Sequence, residues 1–172
     1  GMLGSAGDPP ATDELLAGVP AYMVKGDPNA AAVMVEWSDY QCPFCARHSE
    51  TVSKQIDAAY VETGQLRVAF RDLPLAFHPN AKKAAEAARC VGELGGSDAY
   101  WRMHDMLYAR QDEWSEQEDA APAFKSFAGE IGVEQAGFDT CLDEGQQTEA
   151  VEADMAAAQE RGINGTPAFA IQ

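Results

Sequence analysis

Two cysteines separated by a proline and a phenylalanine, Cys42-Pro43-Phe44-Cys45, are the residues of this chain best suited to chemistry. Thiols at this spacing can close a small disulfide and reopen it under attack by an external thiolate, which is thiol–disulfide exchange. Their surroundings fit that use. Ala32 to Trp37 is an apolar, partly β-branched run that reads as a buried strand, with Ser38 to Gln41 as its exit loop. From Cys45 onward Ser49, Val52, Ile56 and Ala59 recur at three- and four-residue intervals, the stripe of a helix laid on a sheet. Pro43 suits the first helical turn, where a missing N–H costs nothing. Cys42 therefore falls at a helix N-terminus, whose free N–H groups and dipole favour a thiolate over a thiol. Zinc sites use the same cysteine spacing but require a second close ligand pair. Cys90 and Cys141 stand alone and His48, His78 and His104 are scattered, so the context favours redox chemistry.

The elements that must position this pair can be followed along the chain. Gly1 to Pro10 is small in composition, and residues 1–18 read as a flexible tether with a short helical turn at Asp13–Ala17. Val19–Val24 reads as an edge strand, and Gly26-Asp27-Pro28-Asn29 as a turn. The helix begun at Pro43 runs to about Glu62 and closes at Gly64. Leu66, Val68 and Phe70 then alternate with Arg67, Ala69 and Arg71, giving a strand parallel to the first through a right-handed crossover.

From residue 74 to 162 the strand pattern disappears. His78-Pro79-Asn80 opens a helix with Ala81, Ala84, Ala88 and Val91 inward and Lys82, Lys83, Glu86 and Glu93 toward water, stopped at Gly95-Gly96. Further helical stripes lie at Trp101–Tyr108, Phe124–Ile131, Phe138–Leu142 and Val151–Ala158, with Arg161-Gly162 as the last helix end. Ile163 to Ile171 returns to strand, and Gly165-Thr166-Pro167 ahead of it is a candidate cis bond. The expected organisation is one strand-containing domain, residues 19–73 and 163–172, interrupted by a helical subdomain over residues 74–162.

Composition narrows the partners. A chain of 172 residues that is 46% hydrophobic can bury a substantial core. It contains no run of eighteen apolar residues for a membrane span and no positively charged, apolar leader. The net charge is −16, and residues 111–160 hold 14 of the 28 acidic residues with one base, Lys125. Such a surface repels a phosphate backbone, which argues against nucleic acid. It fits a solvated helical face.

Taken together, these stretches resemble the DsbA-like branch of the thioredoxin superfamily. The resemblance is carried by Lys25 to Pro28, Val35 to Cys45, Arg71 to Leu75, His78-Pro79, Trp101 to Asp105, and Gly165 to Phe169. It implies an α/β, thioredoxin-like fold with a large all-helical insertion. It also implies that Cys42 is the exposed nucleophile and Cys45 the buried partner that resolves mixed disulfides. Thr166-Pro167 would face them as a cis-proline loop and, with Pro43 and Phe44, bind an extended client peptide. Glu36 matches a buried acid that relays a proton for Cys45; on its residues alone it is equally a strand-end carboxylate. The histidines are given no catalytic role, and no cofactor or metal is implied.

The same resemblance implies unfolded or partly folded clients with cysteines, an extracytoplasmic location, and recycling by a membrane redox partner. Cys90 and Cys141 read either as buried free thiols or as a structural disulfide, and the oxidising compartment favours the disulfide. Closing that loop would contribute about 4 kcal/mol on a chain-entropy estimate. Two departures stand out. Pro43-Phe44 lacks the histidine of strongly oxidising members, so the active disulfide should be less oxidising. The chain also stops at Gln172, where family members continue, so a C-terminal strand and helix are expected to be missing. A dithiol oxidase is the expected activity, with a reductase or isomerase, or a non-catalytic client-binding module, as alternatives.

Overall fold

The computed structural model describes residues 12–172, so the first part of the expected tether lies outside the described residues. Its centre is a four-stranded mixed sheet in the order β1-β3-β2-β4. Strand β2 (Ala32–Ser38) runs parallel to β3 (Leu66–Asp72), with Glu36 opposite Phe70 and Ser38 opposite Asp72. The short β1 (Val24–Lys25) pairs antiparallel with β3, and β4 (Ala168–Ile171) pairs antiparallel with β2.

Three local expectations are corrected at this level. The helical turn expected at Asp13–Ala17 forms as α1 (Thr12–Leu16), but this end of the tether is not free, because Leu15 is buried against the sheet. Apolar contact outweighs chain freedom there. Val19–Val24 is mostly not a strand. Ala21–Met23 forms a 3-10 turn closed by Met23 N–H donating to Pro20 O, which drives Met23 fully into the helical core. The helix from Pro43 is broken. Helix α2 (Pro43–Glu50) ends at Thr51, whose backbone leaves the helical region at φ −122°, ψ −83°. Helix α3 (Val52–Ile56) follows and widens into a π turn, Asp57–Val61. Thr51 Oγ1 donates to Arg47 O at 2.6 Å, a side-chain bond that competes with the helical ladder. Beyond the break the predicted stripe fails: Cys45 and Ser49 are buried, whereas Val52 and Ala59 are exposed.

Between β3 and β4 the chain is helical, as the insertion pattern requires. Helix α4 (Ala81–Ala109) is broken at Gly96, where φ +78° and ψ −164° suit glycine alone. It is followed by α5 (Ala121–Ile131), α6 (Gln135–Asp143) and α7 (Thr148–Glu160). Glu86 departs from its expected solvent face. It is buried and accepts a hydrogen bond from Thr148 Oγ1 at 2.5 Å, because α7 begins over that surface. Cys90 of α4 and Cys141 of α6 form a disulfide with a Cα–Cα separation of 5.9 Å.

Two cores result, one for each side of the sheet. Val33, Val35 and Trp37 of β2 pack with Ala69, Leu73, Leu15 and Ala158 of α7. Phe70, Tyr40, Cys42 and Cys45 join the larger core built by α4, α5 and α6. Strand residues alternate between faces, so Glu36 and Ser38 point away from the Trp37 side. At the junction of β3, α4 and α7, Arg71, Asp72, Arg89 and Asp154 form a buried ion cluster. No described helix is long and apolar enough to cross a membrane.

Candidate active site

Cys42 is the N-cap of α2 and Pro43 its first helical residue, so the reactive pair is presented where backbone N–H groups are free. The turn that delivers it is tied down from behind. Asp39, fully buried, accepts from Gln41 N–H through Oδ1 at 2.7 Å. Its Oδ2 accepts from Leu75 N–H and meets His78 Nδ1, each at 2.8 Å. Gln41 Oε1 accepts from Asn80 N–H at 2.8 Å while its Nε2 donates to Ser115 O at 2.9 Å. Gln111 Nε2 donates to Tyr40 O at 2.7 Å and to Cys42 O at 3.3 Å. Two further chain segments, residues 75–80 and 111–115, thus hold the turn that leads into Cys42.

Cys42 and Cys45 are free thiols, Cys42 4% exposed and Cys45 wholly buried. The Thr166–Pro167 peptide bond is cis, and Cys42 Sγ lies 3.9 Å from Thr166 O. A cleft of about 280 Å³ opens beside Cys42, bordered by Phe44, Leu75, Phe77 and Thr166. Phe44 and Phe77 are 71% and 75% exposed, unusually open for such large apolar side chains. A second hollow of about 430 Å³ borders the other side of the motif at Gln41, Pro43 and His78, but Cys42 itself lines the smaller cleft.

Behind the pair the environment turns apolar. Burial pushes the Cys45 thiol up to about 12, opposed by the nearby Ser38 and Thr166 side chains. Ser38 Oγ also shares a 2.8 Å hydrogen bond with Tyr108 OH in the buried interior. Glu36 is buried two residues earlier on the same face of β2, and burial pushes its carboxyl up to about 7 against a hydrogen bond with Ser38. Of the expected positions, Cys42, Pro43, Phe44 and Thr166 meet at the cleft, with Cys45 buried on the same helix and Pro167 in the cis bond, while Glu36 lies on β2 against His48. Cys90 and Cys141 are elsewhere, inside the helical layer.

Sequence reasoning missed Ser38, Asp39, Gln41, Phe77 and Gln111. Ser38 read as the start of a loop, yet it is the last paired residue of β2 and touches a tyrosine 70 positions away. An exposed aromatic just after β3 was the one signal available for Phe77.

The raised Glu36 carboxyl has a consequence for stability. Relative to an unfolded value near 4.5, its folded form favours the proton. Its contribution is therefore complete below about pH 4.5 and is lost as pH rises through about 7. Glu36→Gln should leave stability at pH 4.5 unchanged and increase it at pH 8 by about 3 kcal/mol at most. Urea denaturation at the two pH values checks this, and an equal change at both would refute it.

Comparison with known proteins agrees with this architecture. Residues 19–172 match the model of a family described as Thioredoxin. The chain is similar to the Na(+)/H(+) antiporter NhaA 3 of Salinispora tropica, 32% identical over 148 residues, covering 85% of this chain and 21% of that protein. It thus spans about a fifth of the length of such relatives. A Rickettsia bellii protein described as a protein-disulfide oxidoreductase is 25% identical over 127 residues, covering 74% of this chain and 47% of the relative. Among solved structures, oxidised BdbD from Bacillus subtilis superposes with a TM-score of 0.79 at 25% identity, over 91% of this chain and 82% of that one. With its mixed sheet, its cysteine pair at the start of α2 and its helical insertion, the chain belongs to the thioredoxin family.

Proposed function

We propose that this chain is a dithiol oxidase that introduces disulfides into cysteine-containing, incompletely folded proteins outside the cytoplasm. The observation that carries the reading is the placement of Cys42 at the mouth of an apolar cleft beside Thr166 O, with Cys45 sealed behind it. A client thiolate attacks Cys42 Sγ of the oxidised pair, the Cys42–Cys45 bond breaks, and Cys45 leaves with the electron pair and takes up a proton. A second client thiolate then attacks the client sulfur of the mixed disulfide. Cys42 departs as a thiolate, the client is oxidised by two electrons, and the enzyme is left as the dithiol. The backbone of the Thr166-Pro167 loop lies along the extended client, and Phe44 and Phe77 cover its apolar side chains. Reoxidation falls to a membrane redox partner.

Direction is a matter of poise. DsbA and thioredoxin stand at about −120 and −270 mV, a difference of about 7 kcal/mol for a two-electron couple. Cys42 caps the N-terminus of α2. Phe44 brings neither charge nor polar hydrogen to it, so the couple should lie between about −140 and −220 mV. Equilibration with glutathione buffers, followed by quantifying the Cys42–Cys45 disulfide, measures this. A value near thioredoxin's would assign the chain to disulfide reduction instead.

A further inference from the structure

Two buried polar atoms near the site have no hydrogen-bond partner, Thr166 Oγ1 in the loop facing Cys42 and His48 Nε2 behind it. His48 follows Cys45 by three residues on α2, and its Nε2 is buried with no hydrogen bond. Buried polar atoms are almost always paired, so an exception asks for a reason. That nitrogen lies 3.9 Å from Glu36 Oε1, with the two side chains 11% and 6% exposed. This is ion-pair reach, and a small ring rotation or one water converts it to a hydrogen bond.

The ring is held in place from two sides. α2 carries it, and its centroid lies 4.7 Å from that of Phe169 on β4. Phe169 is itself the register partner of Glu36 across β2 and β4. The imidazole therefore spans from the buried carboxyl to the surface along the β4 edge. The other groups that bear on the pair are Ser38 of β2, Lys25 of β1, Asp57 of the π turn and His104 of α4. Lys25 and Asp57 bind one another at 2.6 Å, and His104 Nδ1 is engaged with Asp105 at 2.8 Å. Burial holds the His48 imidazole below its ordinary value, so the ring faces Glu36 as a neutral polar group with no other partner at Nε2.

We propose that His48 is a positioning residue for Glu36, orienting its carboxyl and passing protons between it and solvent. The inference rests on the thiol–disulfide exchange proposed above. When the Cys42–Cys45 bond breaks, the electron pair leaves on Cys45 Sγ, and the protonated Glu36 supplies its proton. The carboxylate left in the apolar site takes the proton of His48 Nε2–H, while water returns a proton to Nδ1 of the same ring, so the imidazole passes the proton without standing as a cation. During reoxidation the same proton travels outward, so no further reactant is needed. Packing alone would be served as well by phenylalanine, which gives the test its contrast.

His48→Phe keeps an aromatic ring against Phe169 but carries no proton, and His48→Gln keeps a polar group without a charge. The titration of the Glu36 carboxyl is followed in the reduced protein by carbon-13 NMR, with Glu36→Gln identifying the signal. Losing the Nε2–H that can donate to the carboxylate should move the Glu36 midpoint upward by about half a pH unit or more in His48→Phe, and by less in His48→Gln. The pH profile of mixed-disulfide formation with a cysteine peptide should shift in the same direction. In a Glu36→Gln background, His48→Phe should produce no further shift. An unchanged Glu36 midpoint, or an equal profile shift without Glu36, would overturn the assignment. The NMR titration needs no exchange activity. A failed coupling with intact exchange therefore sinks this inference alone, whereas absence of exchange in the unaltered protein sinks it together with the proposed function.

Discussion

Cys42→Ala is expected to reduce peptide oxidation and insulin reduction alike to background, a loss on the order of 10³-fold or more. Cys42 is the thiol at the cleft, and Cys45 is wholly buried beneath it. A client sulfur therefore has no other sulfur to reach. Cys45→Ala should behave differently. In that variant Cys42 attacks a peptide disulfide and releases one peptide thiol, and with no internal thiol to displace the client the mixed disulfide through Cys42 persists and accumulates as a covalent adduct. Mass spectrometry under non-reducing conditions separates the two outcomes. Adducts through Cys45 in a Cys42→Ala protein would reverse the assignment of roles, and full activity in that variant would leave only a client-binding module.

The second large effect lies away from the thiols. Arg89 Nε donates to Asp72 Oδ2 at 2.6 Å and its Nη2 to Asp154 Oδ2 at 2.7 Å. Arg71 donates to Asp154 Oδ1 through Nε at 3.0 Å and Nη2 at 2.9 Å, and Asp72 N–H donates to Asp154 Oδ2 at 2.9 Å. Two positive and two negative groups balance inside the protein, joining β3, α4 and α7. Their net contribution as a set is small, because desolvation offsets attraction. Removing one member is another matter. Arg89→Ala leaves two buried carboxylates facing a single guanidinium, and should cost about 3–5 kcal/mol. For a protein of this size that lowers Tm by roughly 6–20 °C. A urea midpoint within about 1 kcal/mol of the unaltered protein would show that the interior relaxes to admit water.

The cluster also connects stability to function. Leu73 N–H donates to Ser38 O at 2.9 Å just beyond Asp72, and Asp39 holds Leu75 two residues later. Loosening the end of β3 would loosen the turn that carries Cys42. The Arg89 variant should therefore lose exchange activity at temperatures below its global unfolding.

What the sequence determined by itself was the chemistry and the order of elements. Cys42 and Cys45 are adjacent in the chain, and strand, helix and turn signals lie within a few residues of them. Local steric preference and hydrophobic period therefore reach the strand β2, the start of α2, the helical run between residues 74 and 162, and the final strand. Relations that depend on chain closure were beyond that reach. Glu86 is buried by the start of α7, Met23 by α4, and Leu15 by the sheet, all through contacts distant in sequence. The break at Thr51 needed a competing side-chain bond to be seen.

The site divides along the same line. The thiols and the loop before β4 carry their own local signatures, but their 3.9 Å meeting spans 124 residues. Ser38 and Tyr108, Asp39 and His78, and Glu36 and His48 are ordinary polar residues until the fold brings them together. Whether a carboxyl such as Glu36 is a solvated strand end or a buried acid near neutrality depends on how much water the fold removes from around it. Water exclusion is a property of three-dimensional packing, and only the tertiary structure decides it.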